Sequence, residues 1–255
     1  AETAPVRNLE LAVNRCHLEV ETVVATPYAA GLSTLVDDEG ELGCACVDMG
    51  GGTTSMAVFA DGAFCHVDAI AIGGHHVTMD IAQGLSTRLA DAERIKTLHG
   101  SALATSSDDH EVIGVPSVGV DRHDIVNVPR GALTRIIRPR VEEILELVRD
   151  RLAASGFAGR VGKRVVLTGG ASQLTGMVEV ARRILGRNVR LGRPLGIAGL
   201  PQAAKGAAFA AAVGLLIYPQ VAQIEQFDMR QQRRLMTGTG GNYFSRVGHW
   251  LKQSW

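Results

Sequence analysis

The sequence is poor in aromatic residues, cysteine and proline. Of its 255 residues, 4% are aromatic, four are cysteine and eight are proline. The four cysteines lack the spacing of a zinc knuckle, which argues against a fold held together by a structural metal ion. Buried free thiols in a reducing cytoplasm are the simpler interpretation. With 46% apolar and 20% charged residues, the composition is that of an ordinary globular chain with a hydrophobic core.

Other absences narrow the function classes. The longest uncharged apolar stretch, 206–218, has 13 residues, whereas a spanning helix needs about 20. No signal peptide opens the chain, and the first residue is not Met, so we expect it to be a cut edge. The 26 basic and 26 acidic residues give a net charge of zero, which argues against a general nucleic-acid binder.

Acidic residues are missing from the end of the chain. The last one is Asp228, and residues 229–255 carry only basic charges. The five basic residues are Arg230, Arg233, Arg234, Arg246 and Lys252. An acidic body with a basic tail indicates that the tail meets something anionic.

The clearest structural pattern lies in residues 44–72. CACVDM (44–49), SMAVFA (55–60) and AFCHVDAIAI (63–72) predict three strands, and Asp61-Gly62 is a two-residue hairpin signal. A helix to about residue 82 follows. Three meandering strands and then a helix indicate a mixed sheet, not a doubly wound parallel one.

The remaining segments predict helices around an insertion. We expect helices at 6–15 and 27–35, a strand at 18–25, and an inserted α+β subdomain at 85–160 whose last helix starts at residue 138. A strand at 164–169, a helix at 176–185, a strand at 188–191 and a small-residue helix at 203–217 follow, and 219–241 has linker composition. The helix from residue 138 has apolar residues at helical spacing: Val141, Ile144, Leu145, Val148 and Leu152.

The first candidate for chemistry is the segment DMGGGTT between two of these strands. Its residues are Asp48, Gly50, Gly51, Gly52, Thr53 and Thr54. Consecutive glycines let backbone N–H groups converge on a phosphate, threonine hydroxyls can donate, and a carboxylate at a strand end can hold Mg²⁺ through water. The segment matches neither the P-loop nor the dinucleotide fingerprint, and a plain Gly-rich hairpin is the alternative.

Two further motifs are suited to a nucleoside. A buried strand ends in Gly169, Gly170, Ala171 and Ser172, where a flat ring or a ribose can lie against bare backbone. Glu93 and Lys96 lie three residues apart and share a helix face, so they can bracket a ribose and a base. The alternatives are an ordinary strand-to-helix turn and a solvated ion pair.

The order of these motifs, followed by the small-residue helix, resembles the second half of the actin/Hsp70/sugar-kinase ATPase superfamily. The segments VDMGGGTTSMAVFADGAF, VLTGGASQLTGM and RPLGIAGL most resemble FtsA, a family of bacterial cell-division proteins, along nearly the whole chain. The resemblance implies an α/β, actin-like (RNase H-like) mixed sheet flanked by helices. It places the end of the first domain (1A) at 1–43, domain 2A at 44–84 and 161–218, and subdomain 2B at 85–160. The family's phosphate-1 hairpin does not precede residue 1, so we expect a C-terminal portion with half of the nucleotide cleft.

The same resemblance implies a function. Members of this family bind ATP and Mg²⁺, polymerise and tether FtsZ to the inner membrane at the division site. ATP and Mg²⁺ are therefore the expected cofactors, with Asp48 as the Mg²⁺ carboxylate, the candidate catalytic residue and at most slow ATPase activity. The expected partners are the FtsZ C-terminal peptide, further copies of the chain and anionic lipid. A small-molecule kinase or a pilus-assembly ATPase of the same superfamily is the alternative.

The resemblance also places Arg140 and Glu143 at the groove that receives the FtsZ peptide. Their spacing alone predicts no more than an i,i+3 ion pair near the start of the amphipathic helix.

The last fourteen residues, 242–255, are a candidate membrane anchor. At 100° per residue, an aromatic face is flanked by basic side chains, as in interfacial helices. The residues concerned are Tyr243, Phe244, Arg246, Val247, Trp250, Leu251, Lys252 and Trp255. Each large apolar side chain contributes about 1.5–3 kcal/mol on burial, but folding at the interface consumes much of this. We expect reversible binding that filaments strengthen through avidity, and a helix docked on the body is the alternative.

Overall fold

The computed structural model of the chain describes residues 3–106, 108, 110–118, 125–195 and 197–234. The helices are α1 (Thr3–Asn14), α2 (Thr26–Thr34), α3 (Asp37–Leu42), α4 (Gly74–Gly84), α5 (Leu89–His99), α6 (Arg130–Ala154), α7 (Met177–Leu185) and α8 (Ala210–Arg234). The strands are β1 (Cys44–Met49), β2 (Thr54–Ala60), β3 (Ala63–Ile70), β4 (Val112–Pro116), β5 (Ile125–Pro129), β6 (Arg164–Thr168) and β7 (Asn188–Leu191). Short 3₁₀ helices span Gly170–Gln173, Gln202–Lys205 and Ala207–Phe209.

Five strands form one mixed sheet in the order β3-β2-β1-β6-β7. The pairs β1–β2 and β2–β3 are antiparallel, whereas β1–β6 and β6–β7 are parallel. Asp61 and Gly62 both have positive φ, 53° and 71°, as a two-residue hairpin turn requires. The predicted mixed sheet is confirmed.

Helices cover both faces of this sheet. Ala45, Val47 and Met49 of β1 belong to a buried cluster with residues of α4, α6 and α7. Cys46, one position out of step, belongs to a second cluster with residues of α2 and α8. This alternation follows from the two-residue period of a strand and gives a helix–sheet–helix sandwich.

The backbones of α2 and α8 touch. A Cβ atom at Gly214 of α8 would overlap the carbonyl oxygen of Ala29 in α2. The hydroxyl of Ser33 donates to the carbonyl oxygen of Ala210 across the same contact at 2.7 Å. The helix predicted at 203–217 starts only at Ala210, after two 3₁₀ helices, and its small residues serve close packing against α2.

The insertion comprises α5, the antiparallel pair β4–β5 and the first half of α6. Its buried residues Ile95, Ile113 and Leu133 belong to the same cluster as Val47 of the main sheet. Helix α6 starts at Arg130, not at residue 138 as predicted, and carries Pro139 in its interior.

The apolar stripe of α6 explains the earlier start. Leu133 and Ile137 are buried and extend the spacing of the five predicted apolar positions, all of which are buried too. Burying two large side chains stabilises the helix by roughly 3–6 kcal/mol, which offsets the cost of about 3 kcal/mol for an internal proline.

Two further predictions of local structure are wrong. Residues 18–25 form no strand. Leu18 and Val23 are exposed, so these apolar side chains are not buried against the sheet. Residues 219–234, predicted as the start of a linker, continue α8 as far as Arg234. After Pro219 this stretch has no glycine or proline and is rich in Gln and Arg, which favour helix.

The four cysteines are free, but only two are buried. Cys44 and Cys46 are buried on β1, Cys65 is half-buried and Cys16 is exposed. Among the helices of the described residues, none is long and apolar enough to cross a membrane.

Candidate functional site

A cavity of about 650 Å³ opens at the carboxyl ends of β1 and β6. All three sequence motifs reach it, through Gly50 and Gly51, Glu93 and Lys96, and Gly170 and Ala171. Further walls come from Gly74, His75 and Val77 of α4, Val141 and Ile144 of α6, and Leu174, Thr175 and Met177 before and in α7. The volume lies within the range of small-ligand and cofactor sites.

The glycine loop after β1 leaves backbone donors free. The N–H of Gly50 donates to the carbonyl of Thr53 at 2.9 Å and closes the turn. The N–H groups of Gly51, Gly52 and Thr53 donate to no protein atom within the part of the chain that the structure describes. Beside Gly51 and Gly52 there is open space where a Cβ would stand. Such a loop can accept an anion.

Not every predicted residue of this loop reaches the cavity. Gly52 and Thr53 are exposed and lie outside its lining. Thr54 is buried, and its hydroxyl donates to the carbonyl of Ile72 at 2.8 Å. The Thr54 hydroxyl therefore joins β2 to the segment after β3, and its proton is committed within the protein.

Helix α4 begins directly against this loop. The N–H groups of Gly74 and His75 donate to the carbonyls of Gly50 and Gly51 at 2.9 and 2.7 Å. A Cβ at Gly73 would lie 2.6 Å from both carbonyl oxygens. The first N–H groups of α4 thus hold the loop in place and are not free for an anion. The sequence signal for this contact was the Gly73-Gly74 doublet.

Asp48 lies behind the glycine loop and beneath Gly169. It is 9% exposed, and burial raises the pKa of its carboxyl. Gly169 has φ 86°, and a Cβ there would overlap Asp48 Oδ1 and lie 2.5 Å from the carbonyl oxygen of Met49. Two of the three motifs therefore pack directly against each other.

Asp48, Gly169 and Ser172 shape the site without lining the cavity. Ser172 is buried, and its hydroxyl donates to the carbonyl of Gly169 at 2.7 Å. This bond fixes the turn in which Gly170 and Ala171 present their backbone.

Glu93 and Lys96 form more than a solvated ion pair. The ammonium of Lys96 donates to Glu93 Oε2 at 2.7 Å, Thr78 Oγ1 at 2.8 Å and the carbonyl of Gly74 at 3.0 Å. The Thr78 hydroxyl in turn donates to Glu93. Lys96 is only 15% exposed, whereas Glu93 is 52% exposed. All three ammonium protons are thus held, and α5 is fixed to the start of α4.

The charge state of Glu93 follows from these contacts. Burial alone would raise its pKa, but the hydrogen bonds from Lys96 and Thr78 outweigh it and lower the pKa. Glu93 is therefore ionised at neutral pH and half-exposed at the cavity. The sequence analysis missed Thr78, whose buried hydroxyl on a helix is the available signal.

Arg140 and Glu143 form the predicted i,i+3 pair on α6. Arg140 also makes a bidentate contact with Asp80 of α4, with Nε–Oδ2 at 2.6 Å and Nη2–Oδ1 at 3.1 Å. The hydrogen bond with Asp80 raises the pKa of Arg140. Neither Arg140 nor Glu143 lines the cavity, although Val141 and Ile144 on the same helix do. Sequence reasoning had no signal for Asp80.

The Mg²⁺ site at Asp48 and the membrane anchor stay predictions. In the described ranges, no group of three or more His, Cys, Asp or Glu side chains is arranged for a metal ion. The candidate anchor lies outside the described residues, including Tyr243, Phe244, Arg246, Val247, Trp250, Leu251, Lys252 and Trp255.

Comparison with known sequences identifies the family. The profile of "Cell division protein FtsA" matches residues 45–214. The chain belongs to the FtsA family. FtsA of Rhizobium meliloti is 60% identical over 256 aligned positions, which cover 100% of this chain and 58% of that protein. FtsA of Escherichia coli K12 is 36% identical, covering 97% of this chain and 60% of that protein. The chain thus spans little more than half the length of these FtsA relatives.

Solved structures show that the fold is actin-like, as predicted. MreB5 of Spiroplasma citri bound to ADP superposes with a TM-score of 0.71 at 16% identity, covering 88% of this chain and 68% of that one. A PilM–PilN pilus biogenesis complex superposes with a TM-score of 0.60 at 19% identity, covering 84% and 57%. A MamK mutant bound to AMPPNP gives 0.54 at 15% identity, covering 84% and 64%. At these identities the likeness concerns the fold alone.

Proposed function

We propose that this FtsA-family chain belongs to an ATP-binding division scaffold that polymerises and tethers FtsZ filaments to the inner face of the cytoplasmic membrane. The observation that carries the proposal is the single cavity into which the glycine loop, the Glu93–Lys96 pair and the Gly170–Ala171 turn all open. Family membership supports the division role, and it favours this function over a kinase or a pilus-assembly ATPase.

The residues at the cavity fit a nucleotide. Free N–H groups beside Gly51 suit phosphate oxygens, the bare backbone of Gly170 suits a flat ring, and the ionised Glu93 can accept from ribose hydroxyls. The MreB5 and MamK neighbours were solved with ADP and AMPPNP. Bound ATP would act as a conformational and assembly cofactor, and fast turnover is not expected.

Asp48 would hold Mg²⁺ through water. A buried carboxylate without a cationic partner is costly, which is why burial raises its pKa, and a nearby cation would relieve that cost. Because Asp48 lies behind the glycine loop and does not line the cavity, water would have to bridge it to Mg²⁺ at the phosphate end.

Titration of the full chain with a fluorescent ATP analogue tests the nucleotide site. Glu93→Gln removes the charge that accepts from the ribose, and we expect about tenfold weaker binding, or about 1.4 kcal/mol. Glu179→Gln, an exposed position on α7 outside the cavity, is the matched control and should change nothing. Equal binding by both variants would contradict the proposed clamp.

Membrane tethering rests on residues 242–255 and is tested separately. Deleting them should abolish co-sedimentation with anionic liposomes and leave nucleotide binding unchanged. Replacing Phe244 and Trp250 together with Glu should have the same effect, because charge cannot enter the acyl boundary. Continued pelleting of either variant would show that another segment contacts lipid.

Binding of the FtsZ C-terminal peptide is proposed for Arg140 and Glu143. Because Arg140 already holds Asp80 and Glu143, any peptide carboxylate that bound Arg140 would have to share or displace these carboxylates. Arg140→Glu should therefore weaken peptide binding, whereas Asp80→Asn, which releases the guanidinium, should preserve or strengthen it. Loss of peptide binding in both variants would indicate a structural effect on α6 instead of a direct contact.

Self-association completes the proposal and is supported by the family and by the actin-like fold. Sedimentation of the full chain in solution, with and without ATP, measures the fraction that assembles. Assembly that is indifferent to nucleotide would argue against ATP as the assembly cofactor.

A further inference from the structure

We propose that the ion pair between Asp80 and Arg140 is a positioning element of the cavity, one that sets the separation of α4 and α6 where these helices supply its walls. The inference deepens the proposed nucleotide function and rests on it for its ligand. Neither side chain lines the cavity, so the pair acts through the helices that carry it.

The contacts between α4 and α6 follow one antiparallel register along the two helices. At one end they touch, since a Cβ at Gly84 would lie 2.7 Å from Ile136 Cδ1. Four residues away on each helix, Asp80 and Arg140 form their bidentate pair. About one further turn away, Val77 and Ile144 face the cavity.

This register describes two antiparallel helices whose apolar residues, including Val77 and Ile144, are buried in one cluster. Four residues correspond to about 6 Å of helix, so the ion pair lies about one turn from the contact at Gly84. On the other side of the pair the cavity is close, since Val141, the residue after Arg140, lines it. The pair links the two helices at the surface, beside the buried residues that supply the cavity wall. A bidentate guanidinium–carboxylate contact fixes both distance and orientation, which suits a spacer.

Helix α4 also carries the phosphate-side contacts. Its first N–H groups hold the carbonyls of Gly50 and Gly51, and its Gly74 carbonyl accepts from Lys96. A shift of α4 would therefore move the glycine loop and the nucleoside clamp together. The bridge to α6 fixes the helix on which both parts of the proposed site depend.

The local exposure indicates positioning more than stability. Asp80 and Arg140 are each 27% exposed, and pairs in such places contribute little to the free energy of unfolding. Small displacements at a binding site cost more, so we expect Asp80→Asn to weaken nucleotide binding about threefold to tenfold.

A matched control lies on the same helix. Arg151 of α6 pairs with Asp68 of β3 at 3.5 Å, away from the residues that line the cavity. Asp68→Asn removes an ion pair of the same chemical kind between α6 and another element. It should leave nucleotide affinity within twofold of the original chain.

The experiment measures affinity and local protection in the full chain. Nucleotide affinity is measured with a fluorescent ATP analogue for the original chain, Asp80→Asn, Asp68→Asn and the double variant Asp80→Arg/Arg140→Asp. Hydrogen–deuterium exchange of residues 74–78 is measured without ligand. We expect weaker binding and faster exchange in Asp80→Asn alone, with both restored toward the original values in the charge-swapped variant.

Two results would overturn the inference: unchanged exchange and affinity in Asp80→Asn, or equal changes in Asp68→Asn. The exchange measurement needs no ligand, so it separates this inference from the proposed function. If the original chain binds no nucleotide, the proposed function fails, while faster exchange in Asp80→Asn still supports the positioning role and unchanged exchange refutes it.

Discussion

Replacing Gly169 with Ala tests whether two of the motifs are packed as closely as the structure indicates. Gly169 has φ 86° and ψ 164°, a region that costs an L-residue about 1–3 kcal/mol. Its Cβ would overlap Asp48 Oδ1 and lie 2.5 Å from the carbonyl oxygen and 2.7 Å from the amide nitrogen of Met49. Relieving such overlap requires backbone movement that costs about 1–3 kcal/mol more.

The two costs together predict a loss of about 2–6 kcal/mol in the free energy of unfolding. For a chain of this size, 1 kcal/mol corresponds to about 2–4 °C in Tm, so Tm should fall by at least about 4 °C. Thermal unfolding followed by circular dichroism measures this. Gly51→Ala is the matched control, because its Cβ would meet nothing within 4 Å and its φ is not left-handed.

Gly51→Ala should keep Tm within about 2 °C of the original, yet it should weaken nucleotide binding because its methyl group enters the space left for a phosphate. If Gly169→Ala unfolds at the same temperature as Gly51→Ala, the close contact between Gly169 and Asp48 is wrong. The proposed shared site for the two loops then loses its geometric basis.

Three other predictions concern the body of the fold. Burial alone would raise the pKa of Glu39, but its hydrogen bonds with Arg190 and the backbone lower it. The ion pair therefore stabilises the fold above about pH 4.3. The free energy of unfolding should fall as the pH drops below that value. In Glu39→Gln, urea unfolding between pH 7 and pH 3.5 should show a weaker pH dependence. Gly214→Ala should lower the free energy of unfolding by about 1–3 kcal/mol, because its Cβ would overlap the carbonyl of Ala29; an unchanged Tm would contradict this. Burial raises the pKa of Cys46, so mass spectrometry should find it unmodified by iodoacetamide at pH 8 until urea is added, and rapid native labelling would refute its burial.

The sequence predicts best where turn chemistry and burial agree. The hairpin at Asp61-Gly62 and the alternation on β1 specify the first three strands, and the structure reproduces them within two residues. It predicts least well where tertiary contacts override a local signal. Pro139 suggested a helix start, but the burial of Leu133 extends α6 in the N-terminal direction.

The site divides in the same way. Glycines that approach another backbone can be recognised from their type and order, and Gly50 and Gly170 do reach one cavity. Hydrogen-bonding partners from a distant part of the chain cannot be recognised from residue type and order. Asp80 lies sixty residues before Arg140, and Thr78 reaches Glu93 from another helix; no local pattern encodes either contact.

Helix α8 determines where the chain stands relative to the body at Arg234. Its 25 residues, Ala210–Arg234, correspond to about 37 Å of helix. Had residues 219–241 formed a tether, its reach would have been about 80 Å, whereas residues 219–234 are held in the helix. A helix of this length gives the chain both a direction and a distance from the body by the time it reaches Arg234.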